Sequence, residues 1–262
     1  MSKTKKKNEH FEALTTHESH VHGEDNGCVT KCVYKKENKK WKCAFTGHNY
    51  RENGFNYQKN CDEVNWYNLP IHQEGSDARR RFDDIFTTAF KQAWRDPSKK
   101  ANAWYMGDGP YGHINFVASG WWPWRNNAHH LIPVDDALSK VLDLSKRILL
   151  QQAKYNVNKG INIIILPTSA RHAKLFQLLK HPCYHRTYSM EVRNRMIAIR
   201  DCLNEAADED KAGHPQINEQ TLGKFGEQLH ALSGRLRKQI REAGIKSPGA
   251  DLDELANLVV IR

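Results

Sequence analysis

No apolar run in this chain of 262 residues approaches the ~20 that carry a helix across a bilayer, so a helical membrane anchor is excluded and no membrane partner is expected. The start, Met1-Ser2-Lys3-Thr4-Lys5-Lys6-Lys7, is basic but has no apolar stretch behind it. No secretory signal peptide is therefore expected, and the chain is read as cytoplasmic in the cell that makes it. Cysteine is sparse: six residues form no disulfide framework, which leaves reduced thiols or metal ligands. Repeats and low-complexity segments are missing as well. Acidic residues are the minority charge, 30 Asp and Glu against 40 Lys and Arg, and the net charge of +10 favours a polyanionic partner. Nucleic acid is the first candidate, because phosphate contacts by Lys and Arg release counterions and dominate affinity. Basic soluble proteins are nevertheless common, so charge alone does not decide the matter. What the chain has in quantity is packing material: 39% hydrophobic residues and seven tryptophans exclude a disordered polymer.

Residues 1–62 are polar, Lys-rich and short of helical periodicity, and they hold four of the six cysteines. Cys28, Cys32 and Cys43 with His48 or Cys61 make a candidate structural zinc site, in which thiolates and imidazole replace the core that so short a segment lacks. Their spacings fit no common zinc-finger pattern, so the other reading is a small β-rich piece with buried thiols, packed by Trp41, Phe45, Tyr50, Phe55 and Tyr57. Residues 63–119 read as a helix and a hairpin, either a connector or part of the domain that begins at residue 120. Phe82, Ile85, Phe86, Ala89, Phe90, Ala93 and Trp94 share one helical face, with Ser76 or Asp77 as cap and Asp96-Pro97 as stop. Arg79, Arg80 and Arg81 open that helix as a solvated or phosphate-facing triplet. Runs at 103–106 and 113–117 flank a Gly-Pro turn and read as the hairpin.

The remainder, 120–262, reads as one domain with a helical tail. Asp135 or Asp136 is expected to cap a helix whose apolar face holds Leu138, Val141, Leu142, Leu144, Ile148 and Leu149. Ile163-Ile164-Ile165 reads as a short buried strand closed by Leu166-Pro167. Thr168 or Ser169 is expected to cap a helix running through Leu175, Phe176, Leu178 and Leu179, with His172 on its surface. Val192, Met196, Ile199 and Leu203 form one helical stripe. Leu222, Phe225, Leu229, Leu232, Leu236 and Ile240 form a second, ended by Gly244. Lys224, Arg235, Arg237, Lys238 and Arg241 read as the charged outer face of that last helix, solvated or set against phosphate or an acidic protein.

The chemistry concentrates between Asn127 and Tyr188. Trp121-Trp122-Pro123-Trp124-Arg125 leads into Ala128-His129-His130, and Asn156-Val157-Asn158, Asn162 and a pair of histidines four apart, His181 and His185, come after it. Three imidazoles meeting on one ion, with a fourth beside it, are the inventory of a metal-assisted hydrolase: neutral imidazole suits first-row divalent metals and an open position admits water. The four pieces in this order resemble the AHH nuclease family of the HNH/endonuclease VII superfamily. Ala128-His129-His130 carries its name, Asn162 to Pro167 matches its Asn-x-x-x-Leu-Pro element, and Asn156-Val157-Asn158 is a variant of its Asp-Ile-Asn step. His181, His185 and Tyr188 match its His-x3-His-x2-Tyr element. The gap of 31 residues between His130 and Asn162 is long for the family, and Pro182-Cys183-Tyr184 stand where small residues are usual.

The resemblance implies an α+β fold, with a predominantly helical C-terminal domain carrying a ββα-metal core and a small β-rich Cys- and His-containing N-terminal region. It implies His129, His181 and His185 as metal ligands, the later pair on one side of a helical turn, and His130 as general base. Asn162 is expected to fix the backbone around the catalytic strand, and Arg125 and Tyr188 to contact phosphate or to be structural. One divalent ion (Mg2+, Mn2+, Zn2+ or Ni2+) is expected, beside the candidate structural Zn2+. The implied activity is a metal-dependent endonuclease, with DNA ahead of RNA, of the kind delivered as an antibacterial toxin by type VI or related secretion into a target cytoplasm. Its partners would then include an acidic immunity protein and a secretion component or chaperone. A phage or mobile-element endonuclease, and a non-catalytic zinc module that binds nucleic acid or protein, are the alternatives.

Overall fold

A computed structural model describes residues 27–31, 48–60, 75–77, 80, 126–182, 184–211 and 219–255. The helix face expected at 82–94, the hairpin at 103–117, the Trp121-to-Arg125 segment and Cys32, Cys43 and Cys61 lie outside the described residues, as do the side chains of Leu203 and Leu222. In chain order the elements are α1 (Tyr50–Asn60), β1 (Asn126–His130), a π-helical turn (Val134–Leu138), α2 (Ser139–Val141), α3 (Leu144–Gln152), a 3-10 turn (Gly160–Asn162), β2 (Ile163–Pro167), α4 (Ala170–Leu175), α5 (Arg186–Lys211), α6 (Glu219–Lys246) and a last 3-10 turn (Leu252–Glu254). β1 and β2 pair in a two-stranded sheet, so the fold mixes helices with a small sheet. No described helix is long and apolar enough to cross a membrane. The chain divides into two compact units, each drawn from three stretches: Met1–Gly54, His130–Ile163 and Ser189–Gly234 in one, and Phe55–His129, Ile164–Tyr188 and Arg235–Arg262 in the other.

In the first unit, the run after His130 goes straight into the core: Leu131, Ile132, Ala137 and Leu138 are fully buried. Each large apolar side chain buried this way contributes roughly 1.5–3 kcal/mol. Pro133 accepts from both Ala137 and Leu138, which makes the following turn π-helical. The single helix expected from Asp135 or Asp136 is broken instead: Leu142 is extended, and Asp143 caps α3 by accepting from the Lys146 amide at 3.0 Å. Residues 27–31 thread through this unit. Cys28 pairs in parallel with Asn156, its amide donating to Tyr155 at 2.8 Å and its carbonyl accepting from Val157 at 2.7 Å. A Cβ on Gly27 would lie 1.8 Å from the Gln151 carbonyl oxygen, so only glycine passes there.

Residues 50–60 form a helix where a β-rich piece is the sequence reading, which is a correction. Tyr-Arg-Glu-Asn-Gly-Phe-Asn-Tyr-Gln-Lys-Asn contains no β-branched residue, and the Asn53 amide closes the first turn on Asn49 at 2.9 Å. At the other side of the unit, Val192 and Met196 of α5 and Phe225, Leu229 and Leu232 of α6 turn inward as two helical stripes.

The second unit is built on β2, all five of whose residues are buried. Gln58 stands in for a neighbouring strand: its Oε1 accepts from the Ile165 amide at 2.8 Å and its Nε2 donates to the Ile165 carbonyl at 3.5 Å. α4 stops at Leu175 rather than continuing to Leu179, because Gln177 adopts a left-handed φ of 50°. Gly244 does not end the last helix, which runs to Lys246. A Cβ there would sit 2.6 Å from the Gln177 carbonyl oxygen, so glycine lets α6 pack against that backbone. Arg237 and Arg241 are not outer-face residues: they are 1% and 6% exposed. They follow Leu236 and Ile240, one position along the buried stripe, and the Arg237 guanidinium lies 4.6 Å from the Tyr57 ring centre, where a planar cation stacks on an aromatic face. Lys224, Arg235 and Lys238 are exposed.

The fully buried Asn162 carboxamide binds three segments of the first unit. Its Oδ1 accepts from the Ile132 amide at 2.9 Å and from the Ser233 hydroxyl at 2.9 Å, and its Nδ2 donates to the Val157 carbonyl at 2.8 Å. Asn162→Ala deletes all three bonds at once. Because a buried group left without a partner costs about 1–3 kcal/mol, a loss of about 3 kcal/mol in urea unfolding is expected. A loss below about 1 kcal/mol would show that the amide is dispensable.

Burial, followed by the neighbouring charge of Arg171, pushes the His172 imidazole down to about 4. The unfolded chain then takes up a proton at pH values where the folded one does not, so this residue's contribution is complete above pH ~6.5 and is lost as the pH falls towards 4. In thermal melts at pH 7.5, 5.5 and 4.5, His172→Gln is expected to lose less stability on acidification than the wild-type chain. Parallel losses in the two proteins would refute the assignment.

Candidate metal centre

β1 presents its histidines where the chain turns inward: Asn127 is exposed, Ala128 half-buried and His129 only 3% exposed. The partner imidazoles arrive on a loop tied down at both ends. At its start the His181 amide donates to the Pro167 carbonyl, the end of β2, at 2.8 Å. Just before it, Lys180 pairs with the C-terminal turn. Its amide donates to Ala250, its carbonyl accepts from Leu252, and its ammonium lies 2.7 Å from Asp251. At its end the Tyr188 amide, one of the open donors in the first turn of α5, is accepted by Asp253 Oδ1 at 2.8 Å.

His181 and His185 therefore do not sit on a helical turn, which corrects the reading from their spacing: α5 starts only at Arg186. Pro182 explains this, since the residue before a proline is pushed out of helical geometry. The two rings still meet, with centroids 5.3 Å apart and planes at 82°. His129 completes the group, 5.0 Å from the His181 ring and 4.7 Å from the His185 ring. Its Nδ1 is 3.2 Å from His181 Nε2, and one ligand nitrogen from each of the three residues lies within 4.8 Å of the others.

The donor set fits a divalent ion. Neutral imidazole suits first-row divalent ions, and His129, His181 and His185 would hold one between them. Two ring nitrogens facing each other at hydrogen-bond distance share either one proton or one ion. Among the described residues this is the one group of three or more His, Cys, Asp or Glu side chains arranged to hold a metal. His181 and His185 are half-buried, so the group reaches solvent on their side. Tyr188 is 2% exposed and walls the site, its ring 5.0 Å from His129 and 6.0 Å from His185.

His130 belongs to the first unit and is also buried, at 6% exposure. Its Nε2 lies 3.4 Å from Asn158 Oδ1 and its ring lies 4.7 Å from that of Tyr50. Burial above all, then the charge of Lys31, pushes its pKa down to about 3, against the smaller upward pull of the Asn158 hydrogen bond and Cys28. The ring is thus neutral, and able to accept a proton, throughout the neutral range. Of the other residues singled out in the sequence, Asn162 makes the backbone-holding contacts given above, Arg125 lies outside the described residues, and His172 is half-buried on α4. Of the candidate zinc cluster, Cys28 and His48 are described and both are fully buried. The Cys28 sulfur lies 3.3 Å from Asn158 Nδ2 and 3.4 Å from the Thr30 carbonyl.

Several contributors carry no sequence signal of their own. Asn127, whose Nδ2 lies 3.5 Å from His181 Nδ1, reads as a polar residue on an exposed strand position. Ala250, Asp251 and Asp253 lie more than sixty residues after the loop they hold. Asn158 is visible only as the last residue of Asn156-Val157-Asn158.

Comparison with curated proteins found no match, and comparison with solved structures found none either. Comparison with family models found one: AHH, a nuclease family of the HNH/ENDO VII superfamily with conserved AHH, matches residues 122–229. That span takes in Ala128-His129-His130, Asn162, His181, His185 and Tyr188, the same residues whose geometry is described above. Nucleases of this superfamily are metal-dependent, and the three-imidazole group is of the kind such an enzyme requires. Residues 122–229 are thus similar to the AHH nuclease family of the HNH/ENDO VII superfamily.

Proposed function

We propose that this chain is a divalent-metal-dependent endonuclease that hydrolyses phosphodiester bonds, with DNA its main substrate, and that His129, His181 and His185 hold the ion while His130 activates water. The observation that carries this reading is the convergence of three imidazole nitrogens within 4.8 Å from two separate sequence elements. A bound divalent ion supplies a Lewis acid for the charge that builds on the phosphoryl oxygens and on the leaving 3′ oxygen. The rest falls to the chain's own groups. The neutral His130 imidazole takes a proton from water as the water oxygen bonds to phosphorus. The bond from phosphorus to the 3′ oxygen breaks, and that oxygen takes up a proton from solvent water. At neutral pH the His130 ring is neutral and so in its proton-accepting form.

The net charge of +10 supports a polyanionic substrate and, in a cell that makes a toxic nuclease, an acidic protein that neutralises it. The family resemblance extends the proposal to an antibacterial effector passed to a target cytoplasm by type VI or related secretion, guided by a secretion component or chaperone. A small acidic reading frame beside the gene distinguishes this from a phage or mobile-element enzyme with the same chemistry.

Two measurements test the reading. Plasmid nicking is expected with added divalent ion and none in excess EDTA; undiminished cleavage in EDTA sinks it. Calorimetric metal binding is then set beside nicking for four variants. His129→Ala, His181→Ala and His185→Ala are expected to lose metal affinity and activity together. His130→Ala is expected to keep the ion and cleave at least about 10²-fold more slowly. If His130→Ala loses the ion while His129→Ala keeps it, the two roles are reversed; normal cleavage by all four variants removes the site altogether.

A further inference from the structure

Asn158 is fully buried, and its carboxamide is committed at both ends. Nδ2 lies 2.8 Å from the Thr30 carbonyl oxygen and 3.3 Å from Cys28 Sγ. A backbone carbonyl has only lone pairs, so the atom facing it must be the amide nitrogen, which settles which way the carboxamide points. The Cys28 thiol, 3.4 Å from the same Thr30 carbonyl, donates its proton there and keeps a sulfur lone pair for the second Asn158 N–H. Both donors of the amide are thereby used, and Oδ1 is left towards His130 Nε2 at 3.4 Å.

An amide oxygen cannot donate, so the ring nitrogen opposite it must carry the hydrogen. A neutral imidazole has one N–H, and its other nitrogen keeps the lone pair. We infer that Asn158 is a positioning residue that holds His130 in the Nε2–H tautomer and so makes Nδ1 its proton-accepting atom. This rests on the reading of His130 as the general base. The arrangement is braced from two sides. The Asn158 amide donates to Asn156 Oδ1 at 2.9 Å and its carbonyl accepts from Asn53 Nδ2 at 2.9 Å, so the backbone under the carboxamide cannot turn. The Tyr50 ring, tilted 46° against that of His130, resists the ring flip that would exchange the two nitrogens.

The hydrogen bonds that set the tautomer come from residues 28 and 30, over a hundred positions before Asn158 in the chain. The order of command runs from the Thr30 carbonyl to the Asn158 amide to the imidazole.

The experiment uses the 15N-labelled full-length chain with its divalent ion added, and reads the tautomer of His130 from its ring nitrogen shifts in long-range 1H–15N spectra. Wild-type protein is expected to show the Nε2–H form. Asn158→Ala is expected to show the Nδ1–H form in appreciable amount and to lose at least about 10-fold in kcat on plasmid, with KM and calorimetric metal affinity unchanged. A loss of fold would move the last two as well, which separates the two outcomes. The Nδ1–H form in wild-type protein overturns the inference even if no variant folds, and so does an Asn158→Ala chain that keeps both the tautomer and kcat. If wild-type protein shows the Nε2–H form but no variant or condition gives cleavage, the nuclease reading fails and the tautomer assignment stands.

Discussion

The backbone that carries His130 and Asn158 in the first unit depends on one buried amide finding partners on three segments. Asn162 sits one residue before β2, its own carbonyl accepts from Leu131 at 2.8 Å and its side chain accepts from Ile132 at 2.9 Å. Those two bonds fix the chain immediately after His130, and the bond from Nδ2 to Val157 fixes the chain immediately before Asn158. Aspartate could not replace it, because a carboxylate oxygen would face the Val157 carbonyl with two lone pairs and no hydrogen. Serine and threonine are too short to reach both sides. The residue type follows from the hydrogen-bond arithmetic of a site that water cannot enter.

A ligand set of three imidazoles and no carboxylate has an electrostatic consequence. If the three imidazoles hold the proposed divalent ion, they would bring no negative charge to it, and the ion would keep its full charge for a phosphate group. The position of two of the three imidazoles depends on the rigidity of the loop that carries them. That rigidity comes from the C-terminal turn: Ala250, Asp251, Leu252 and Asp253 all bond to Lys180 or Tyr188 at the two ends of the loop. These residues lie beyond the 122–229 span that matches the family.

What could be read in the sequence divides along the range of the interactions. The imidazole group and the short buried strand at Ile163–Pro167 were legible, because residue type and order carry them directly. The helix break at Leu142 was not, since Leu138 through Leu149 keeps an unbroken helical period and only the cap bond at Asp143 overrides it. Pro182 carried the information that His181 and His185 do not share a helical turn, but a four-residue spacing masks it. Arg237 and Arg241 illustrate the limit of charge as an exposure signal. The Arg237 guanidinium is buried against the Tyr57 ring, and nothing near it in sequence announces Tyr57. Asp253 was invisible for the same reason, an ordinary polar residue until a distant segment arrives, and Asn158 was visible only as the last residue of Asn156-Val157-Asn158.

The segment that arrives at Asn158 decides how the early part of the chain should be regarded. Cys28 completes a parallel bridge with Asn156, Thr30 receives the Asn158 amide, Asn53 holds its carbonyl and Tyr50 covers His130. A chain lacking these residues would leave two amide hydrogens and a backbone carbonyl of Asn158 without partners in the interior, where each costs about 1–3 kcal/mol. The carboxamide would then turn to the best remaining partner, and with it would go the reason for His130 to keep its proton on Nε2. Residues 27–31 and 49–53 are thus part of the surroundings of His130 in the sense that matters chemically: they supply the hydrogen bonds that decide which atom of the ring can accept a proton.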